Sequence, residues 1–191
     1  MKCIICKKFS IKIICKNCRT HLLNTQLSVR TLSDGFKIYS FYQYNQIEEL
    51  LKTKHTHLGS SVYSILAKIT FRQFAKDFPF PSKVYAMPID DHIKSGYSHT
   101  AILAQALKVK NIKPIFSKLR AESRITYSGK TLDFRLQNPR DFQYTFKHNI
   151  DVILVDDIVT TTTTINEAKN MLIRNGVNPL FALTLANARE L

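Results

Sequence analysis

Three observations predict an α/β protein, a mostly parallel sheet flanked by helices, with a small zinc-ribbon-like module at its N-terminus. Strand-like and helix-like patterns alternate from residue 36 onward. The run Val152-Ile153-Leu154-Val155 is uninterruptedly apolar, as strands are when helix layers cover both faces of a parallel sheet. All four cysteines fall within the first 18 residues. The length of 191 residues, 45% of them hydrophobic, suits one compact domain with at most a small appendage. Five Gly and six Pro exclude a low-complexity or collagen-like chain. No apolar run approaches the roughly 18 residues needed to cross a bilayer, so no transmembrane segment is expected. The basic N-terminus is too interrupted by Lys and Cys for a secretory signal, which makes the cytoplasm the expected compartment. The expected organisation is a zinc-binding module over 1–22, a connector over 23–35 and a main α/β domain over 36–191.

The cysteines read Cys3-Ile4-Ile5-Cys6 and Cys15-Lys16-Asn17-Cys18, that is C-x2-C-x8-C-x2-C. Each C-x2-C turn aims two sulfurs at one centre. Four thiolates complete the tetrahedral shell that Zn²⁺ prefers and leave no open position, so the metal is structural. Disulfides are disfavoured in a chain whose thiols stay reduced. A redox C-x-x-C opens a helix after a strand, and no strand precedes this one. The eight intervening residues are too few for a core, so the metal holds the module together.

Residues 19–35 are polar and poorly periodic, ending at the turn signal Asp34-Gly35. Phe36 to Tyr44 alternates and is rich in aromatics, which predicts a strand. Residues 46–53 and 60–77 read as helices, the second with Val62, Ile65, Leu66, Ile69 and Phe74 near one face. The Phe-Pro-Phe-Pro run at 78–81 ends it. A short buried strand follows at Val84–Met87, stopped by Pro88. Residues 98–109 read as a helix and 114–116 as a strand, with Phe116 expected in the core. Residues 119–141 carry many charges and no period, which predicts a long mobile basic loop bearing Arg120, Arg124 and Lys130. The strand Asp151–Val155, a helix over 165–175 and a strand over 179–186 close a β-loop-α-β unit.

The most informative stretch is Val152-Ile153-Leu154-Val155-Asp156-Asp157-Ile158-Val159 followed by Thr160 to Thr164. Ligands in open α/β sheets bind beyond the carboxyl ends of strands. Here such an end carries two carboxylates, expected to be exposed, then a hydroxyl-rich loop and a helix start. Thr164-Ile165-Asn166-Glu167 fits a capping box. Loop N–H groups, threonine hydroxyls and the helix dipole together make a phosphate cradle. The carboxylates would repel phosphate but suit ribose hydroxyls. These residue types therefore specify a sugar phosphate. Neither a Walker loop nor a G-x-G-x-x-G dinucleotide fingerprint occurs. Asp90 and Asp91 read as a solvated pair, and His92 and His99 as surface residues.

Lys plus Arg number 28 against 14 acids, and the excess is clustered. Residues 1–33 hold Lys2, Lys7, Lys8, Lys12, Lys16, Arg19 and Arg30 with no carboxylate. Residues 108–135 hold eight cations, among them Lys108, Lys118, Arg120 and Arg124, against Glu122 and Asp133. Clustered cations release counterions from a phosphate backbone, which points to single-stranded nucleic acid. Lys7, Lys8, Lys12, Lys16 and Arg19 are the candidate DNA-binding residues of the N-terminal module. Phe9, Tyr127 and Phe134 lie near the basic stretches, placed to stack on bases if exposed.

The 152–164 stretch resembles the motif by which type I phosphoribosyltransferases bind 5-phosphoribosyl-1-pyrophosphate (PRPP): four apolar residues, two acids, a Thr/Gly-rich phosphate loop. Combined with the four-cysteine module, the chain resembles the ComF family of competence proteins over essentially its whole length. Val84-Tyr85-Ala86-Met87-Pro88-Ile89 resembles the family's strand and pyrophosphate loop, which implies that Pro88, Ile89 and Asp90 hold pyrophosphate. Ser95-Gly96-Tyr97-Ser98-His99 stands where the family has Arg-Gly-Phe-Asn-Gln, and Arg135-Leu136-Gln137-Asn138 resembles its Arg-x-x-Asn. Asp156, Asp157 and Thr160, Thr161, Thr162, Thr163 and Thr164 take the PRPP-binding positions. The family's loop reads Thr-Thr-Gly-Ala-Thr, whereas Thr162 and Thr163 stand here for Gly and Ala. A β-branched residue there narrows the pocket and resists positive φ, while its hydroxyl offers phosphate a donor. Ser95 in place of Arg removes a cation.

The resemblance implies a DNA-uptake factor of natural transformation that binds PRPP with magnesium and handles incoming single-stranded DNA. Its implied partners are the DNA-uptake helicase and other competence proteins. In such a site Mg²⁺ bridges pyrophosphate and ribose hydroxyls, with Asp156 and Asp157 in its outer shell. Closure of the basic loop would exclude water. Two alternatives stay open: an active phosphoribosyltransferase acting on a nucleobase-like acceptor, and a regulatory protein that keeps the fold without the ligand. No His, Glu or Tyr stands out as the general base that an acceptor needs.

Overall fold

The computed structural model describes residues 1–21, 23–89, 96–123 and 132–188, apart from the side chains of Leu132, Arg135 and Leu136. In chain order the elements are α1 (Lys16–His21), β1 (Ser28–Thr31), β2 (Lys37–Gln43), α2 (Tyr44–Leu51), α3 (Gly59–Ile69) and α4 (Phe71–Asp77). There follow β3 (Val84–Pro88), α5 (His99–Ala106), β4 (Ile112–Pro114), β5 (Leu119–Ala121), α6 (Leu132–Gln137) and β6 (Phe142–Tyr144). The chain closes with β7 (Asp151–Val159), α7 (Thr163–Arg174) and β8 (Asn178–Asn187). A 3-10 turn over Lys52–His55 joins α2 to the approach of α3.

Six strands form one sheet in the order β1-β2-β8-β7-β3-β4, and only the β1–β2 pair is antiparallel. This is the mostly parallel, helix-flanked architecture that the alternating pattern predicts. Successive residues of β7 feed opposite layers. Ile153 and Val155 pack with α2–α5 and the cysteine module, whereas Val152 and Leu154 pack with α7 and the β5–β6 ribbon. That two-sided burial is why the strand reads as an unbroken apolar run. Each such side chain contributes about 1.5–3 kcal/mol on leaving water.

Several local expectations are revised. A strand, β1, lies inside the polar 23–35 stretch, where its alternating half-buried and exposed residues give no apolar signal. The 60–77 helix breaks at Thr70, whose hydroxyl bonds the Leu66 carbonyl and whose backbone leaves the helical region. The 119–141 stretch is not one long loop: β5 pairs with β6, and α6 lies between them in sequence. Phe116 lies beyond β4 and is 40% exposed, not core. The capping box at Thr164–Glu167 does not form, because α7 starts at Thr163 with Thr162 as its N-cap. Glu167 instead accepts the Arg140 backbone N–H at 2.9 Å, fixing the segment before β6 to α7.

Candidate functional site

β7 outruns its neighbour β3. Its pairing with β3 ends at Val155–Pro88, while its pairing with β8 continues to Val159–Asn187. A notch therefore opens beside Asp156 and Asp157, at the carboxyl end of the parallel strands, where ligands bind in such sheets. Pro88 and Ile89 flank it as buried residues. The Ile89 N–H donates to the Val155 carbonyl at 2.9 Å, and Pro88 has no N–H, so neither backbone amide is directed at a ligand. Asp90, Asp91, His92, Ser95, Arg124, Tyr127 and Lys130 lie outside the described residues. Arg120 sits exposed on β5.

The two carboxylates are not equivalent, and Asp157 is not exposed. It is 7% accessible. Its Oδ2 receives hydrogen bonds from Lys54 Nζ at 3.2 Å and Tyr63 OH at 3.2 Å, and lies 3.3 Å from His99 Nε2. Burial alone pushes this carboxyl up. The His99 and Lys54 charges and their hydrogen bonds outweigh it and hold Asp157 well below the usual carboxylate range. Asp156 is half-buried, and one of its oxygens accepts the Asp157 backbone N–H at 2.8 Å. Burial first, and the Asp157 charge second, push Asp156 up. His99 is half-buried rather than a surface residue, with its ring edge-on to Tyr63 at 5.5 Å. Burial disfavours its imidazolium, but Asp157 prevails and raises it above the ordinary histidine value.

Beyond the acids, the chain turns through Thr160, Thr161 and Thr162 into α7. Thr162 adopts φ +64°, a left-handed conformation that a β-branched residue resists. The Thr162 carbonyl then accepts the Asn166 N–H at 2.9 Å, so the helix starts immediately. Thr161 and Thr163 hydroxyls meet at 3.1 Å. Arg30, carried on β1, donates to the Thr160 carbonyl. A cavity of about 20 Å³ lies inside the loop, lined by Asp156 and by Thr160, Thr161, Thr162 and Thr164. That is room for about one oxygen-sized group.

A second cluster lies at the N-terminus. The Sγ atoms of Cys3, Cys6, Cys15 and Cys18 all fall within 4.8 Å of one another, with Cys3–Cys18 and Cys6–Cys15 both at 3.8 Å. A tetrahedron with metal–sulfur bonds of about 2.3 Å sets its sulfurs about 3.8 Å apart, so the four residues fit a metal ion. After the first knuckle Lys7 takes φ +60°, and its Nζ caps the Ile4 carbonyl at 2.8 Å. The Cys15 N–H points at Cys3 Sγ and the Cys18 N–H at Cys15 Sγ, each at 3.4 Å. Burial pushes the Cys18 thiol up; for Cys3 the backbone N–H bonds outweigh burial and hold it down. Lys7, Lys8, Lys12 and Lys16 are exposed around this cluster, and Arg19 is half-buried. Phe9 and Ile11 are 83% and 88% exposed.

Among solved structures the chain is similar to a hypoxanthine phosphoribosyltransferase from Staphylococcus aureus, at 18% identity over 69% of this chain and 68% of that one, with TM-score 0.42. An adenine phosphoribosyltransferase aligns at 13% identity over 87% and 96%, with TM-score 0.43. An orotate phosphoribosyltransferase from Aeropyrum pernix aligns at 21% identity over 90% and 80%, with TM-score 0.39. No protein-family model and no curated protein matches the chain. No helix of the described residues is long and apolar enough to cross a membrane.

Sequence reasoning places the acid pair and the threonine loop together, and the structure brings them to one strand end. It misses Lys54, Tyr63 and Arg30. Lys54 sits in the 3-10 turn, which has no apolar period, and is one of 28 basic residues. Tyr63 offers a signal: a tyrosine on the buried face of a helix needs a partner for its hydroxyl. Nothing local in β1 marks Arg30 as the residue that reaches the loop.

Proposed function

We propose that this chain binds PRPP at the end of β7 as a ComF-type DNA-uptake factor that handles incoming single-stranded DNA in the cytoplasm. The observation that carries the reading is the junction of Asp156 with a tight, left-handed threonine loop opening α7. A carboxylate able to accept from hydroxyls, next to a threonine cradle with room for one phosphate oxygen, suits the two ends of ribose 5-phosphate. Thr160, Thr161, Thr163 and Thr164 would donate to the 5′-phosphate, and Asp156 would accept from the ribose diol. Pyrophosphate would lie in the notch beyond Ile89. Magnesium bound with PRPP would supply charge neutralisation for the pyrophosphate. Zinc in the four-cysteine cluster would be structural, since thiolates fill its shell. The DNA-uptake helicase and other competence proteins are the partners this reading expects.

Titration calorimetry with PRPP and Mg²⁺ tests the site, and pyrophosphate release across a panel of nucleobases tests turnover. The expected result is magnesium-dependent PRPP binding with pyrophosphate release no faster than in buffer. Absence of PRPP binding by the zinc-loaded protein would overturn the reading. Nucleobase-dependent release would make the protein a phosphoribosyltransferase instead.

A further inference from the structure

We propose that the adjacent carboxylates divide their roles: Asp156 alone receives the ligand's hydroxyls, and Asp157 is a positioning residue that ties three separate segments to the sheet through Lys54, Tyr63 and His99. The inference rests on the sugar-phosphate reading of the site and goes beyond it, since both residues otherwise count equally as ligand contacts.

Neighbouring residues of a strand point to opposite faces, so the two side chains lead into different surroundings. Asp157 faces the layer built by α3 and α5, where Lys54, Tyr63 and His99 close on its Oδ2 at 3.2, 3.2 and 3.3 Å. These donors come from the 3-10 turn, α3 and α5, and the outermost of them, Lys54 and His99, are 45 residues apart in the chain. The cluster is itself buttressed. Tyr97 OH donates to the Lys54 carbonyl at 2.7 Å, and a Cβ on Gly59 would collide with that hydroxyl and with the Thr53 carbonyl. A buried charge persists only when paired and hydrogen-bonded, and Asp157 is both. Asp156 lies on the other face, lines the loop cavity with the threonines, and keeps an oxygen beyond the one taken by the Asp157 N–H. The ligand-facing acid is thus held at an energetic cost, and the acid behind it supplies the anchorage.

The two single substitutions should therefore act with opposite sign on the full-length, zinc-loaded protein. Asp156→Asn should melt at or above the wild-type temperature. It should lose the preference for ribose 5-phosphate over 2-deoxyribose 5-phosphate, with roughly tenfold or greater weakening, since a hydrogen bond to a charged group is removed. Asp157→Asn should melt below wild type, because the negative charge that Lys54 and His99 meet at Oδ2 is removed, yet keep the preference between the two sugars. Nuclear magnetic resonance of the His99 ring gives a readout that loss of packing alone would not move. The groups that act on it are Asp157 and Tyr63 in contact, with Lys54 and, from the other face of the strand, Asp156 through their charges. Its titration should stay above the ordinary value of about 6.5 in Asp156→Asn and fall below it in Asp157→Asn. Should Asp157→Asn fail to fold, Tyr63→Phe removes one donor and keeps the ring. It should weaken ribose 5-phosphate binding with the sugar preference intact. The proposal is overturned if Asp157→Asn, folded, abolishes the sugar preference while Asp156→Asn retains it, or if the melting order is reversed. If the wild-type protein binds neither sugar phosphate, the sugar-phosphate reading fails, and the anchoring role of Asp157 is then decided by melting order and the His99 titration.

Discussion

Thr162 carries a conflict between what its side chain prefers and what the loop requires. Its φ of +64° is a glycine-like conformation imposed on a β-branched residue, which costs on the order of 1–2 kcal/mol. The strain is retained at the tightest point of the proposed phosphate cradle, where local strain and function commonly coincide. Thr162→Gly should relieve it. After subtracting the extra freedom glycine gives the unfolded chain, the gain should be about 1 kcal/mol, or roughly 2–4 °C in a chain of this size. Thermal denaturation checks this. A fall in melting temperature would mean that the Thr162 methyl and hydroxyl contribute more by packing than its backbone costs. The same substitution should widen the cradle, so PRPP affinity is expected to hold or rise.

The N-terminal module and β7 show how differently single elements can depend on the rest of the molecule. The module has one short helix of 6 residues, and its four sulfurs lie within 4.8 Å of one another. If zinc fills this cluster as proposed, chelation should unfold residues 1–20 while the helical circular dichroism signal barely changes. The melting temperature should nevertheless drop, because Cys3, Ile14 and Cys18 are buried in the same core as Phe41, Val62 and Phe71. Fresh protein with less than one zinc per chain, together with a normally folding Cys3→Ser variant, would refute the structural metal. β7 stands at the opposite extreme, an element legible from its residues alone. Its apolar run, acid pair and threonines announce a buried parallel strand that runs out into carboxylates and a hydroxyl-rich turn, because both hydrophobicity and polarity are contiguous in sequence. The partners of Asp157 were not legible. Lys54 and Tyr63 are 103 and 94 residues away and meet it only after the sheet and helices assemble. β1 was hidden for another reason: it is a half-exposed edge strand whose alternation is carried by polar residues. The helix boundary at Thr70 was equally invisible, since a threonine hydroxyl bonding back to Leu66 acts without any Pro or Gly.

Over the whole molecule the formal charge of +14 is the dominant long-range property. Lys7, Lys8, Lys12, Lys16 and Phe9 are all exposed on the N-terminal module, cations that suit phosphate and a ring that suits base stacking. Single-stranded DNA should bind there with little sequence preference and with affinity falling steeply in salt. Each phosphate contact adds about 0.7 to the logarithmic salt slope for a single strand, so replacing the four lysines with glutamine should lower the slope by about 3. Fluorescence anisotropy at several salt concentrations measures it, and an unchanged slope would remove this face from the DNA site. If binding instead depends on Arg120, DNA and PRPP should compete.

The strand order also constrains how the molecule comes into being. In β1-β2-β8-β7-β3-β4, the segment that leaves the ribosome last among the strands, β8, is one of the two innermost. Until it emerges, β1–β2 and the β7–β3–β4 group have no hydrogen-bonded edge in common; β8 alone bridges them, pairing Ile38 with Ala182 on one side and Leu154 with Ala182 on the other. Such late, long-range closure is slow, and it leaves the inner edge of β2 open until β8 is made and that of β3 open until β7 is made. A nascent chain of this topology has reason to depend on chaperones until its final strand is released, whatever ligand the finished protein goes on to bind.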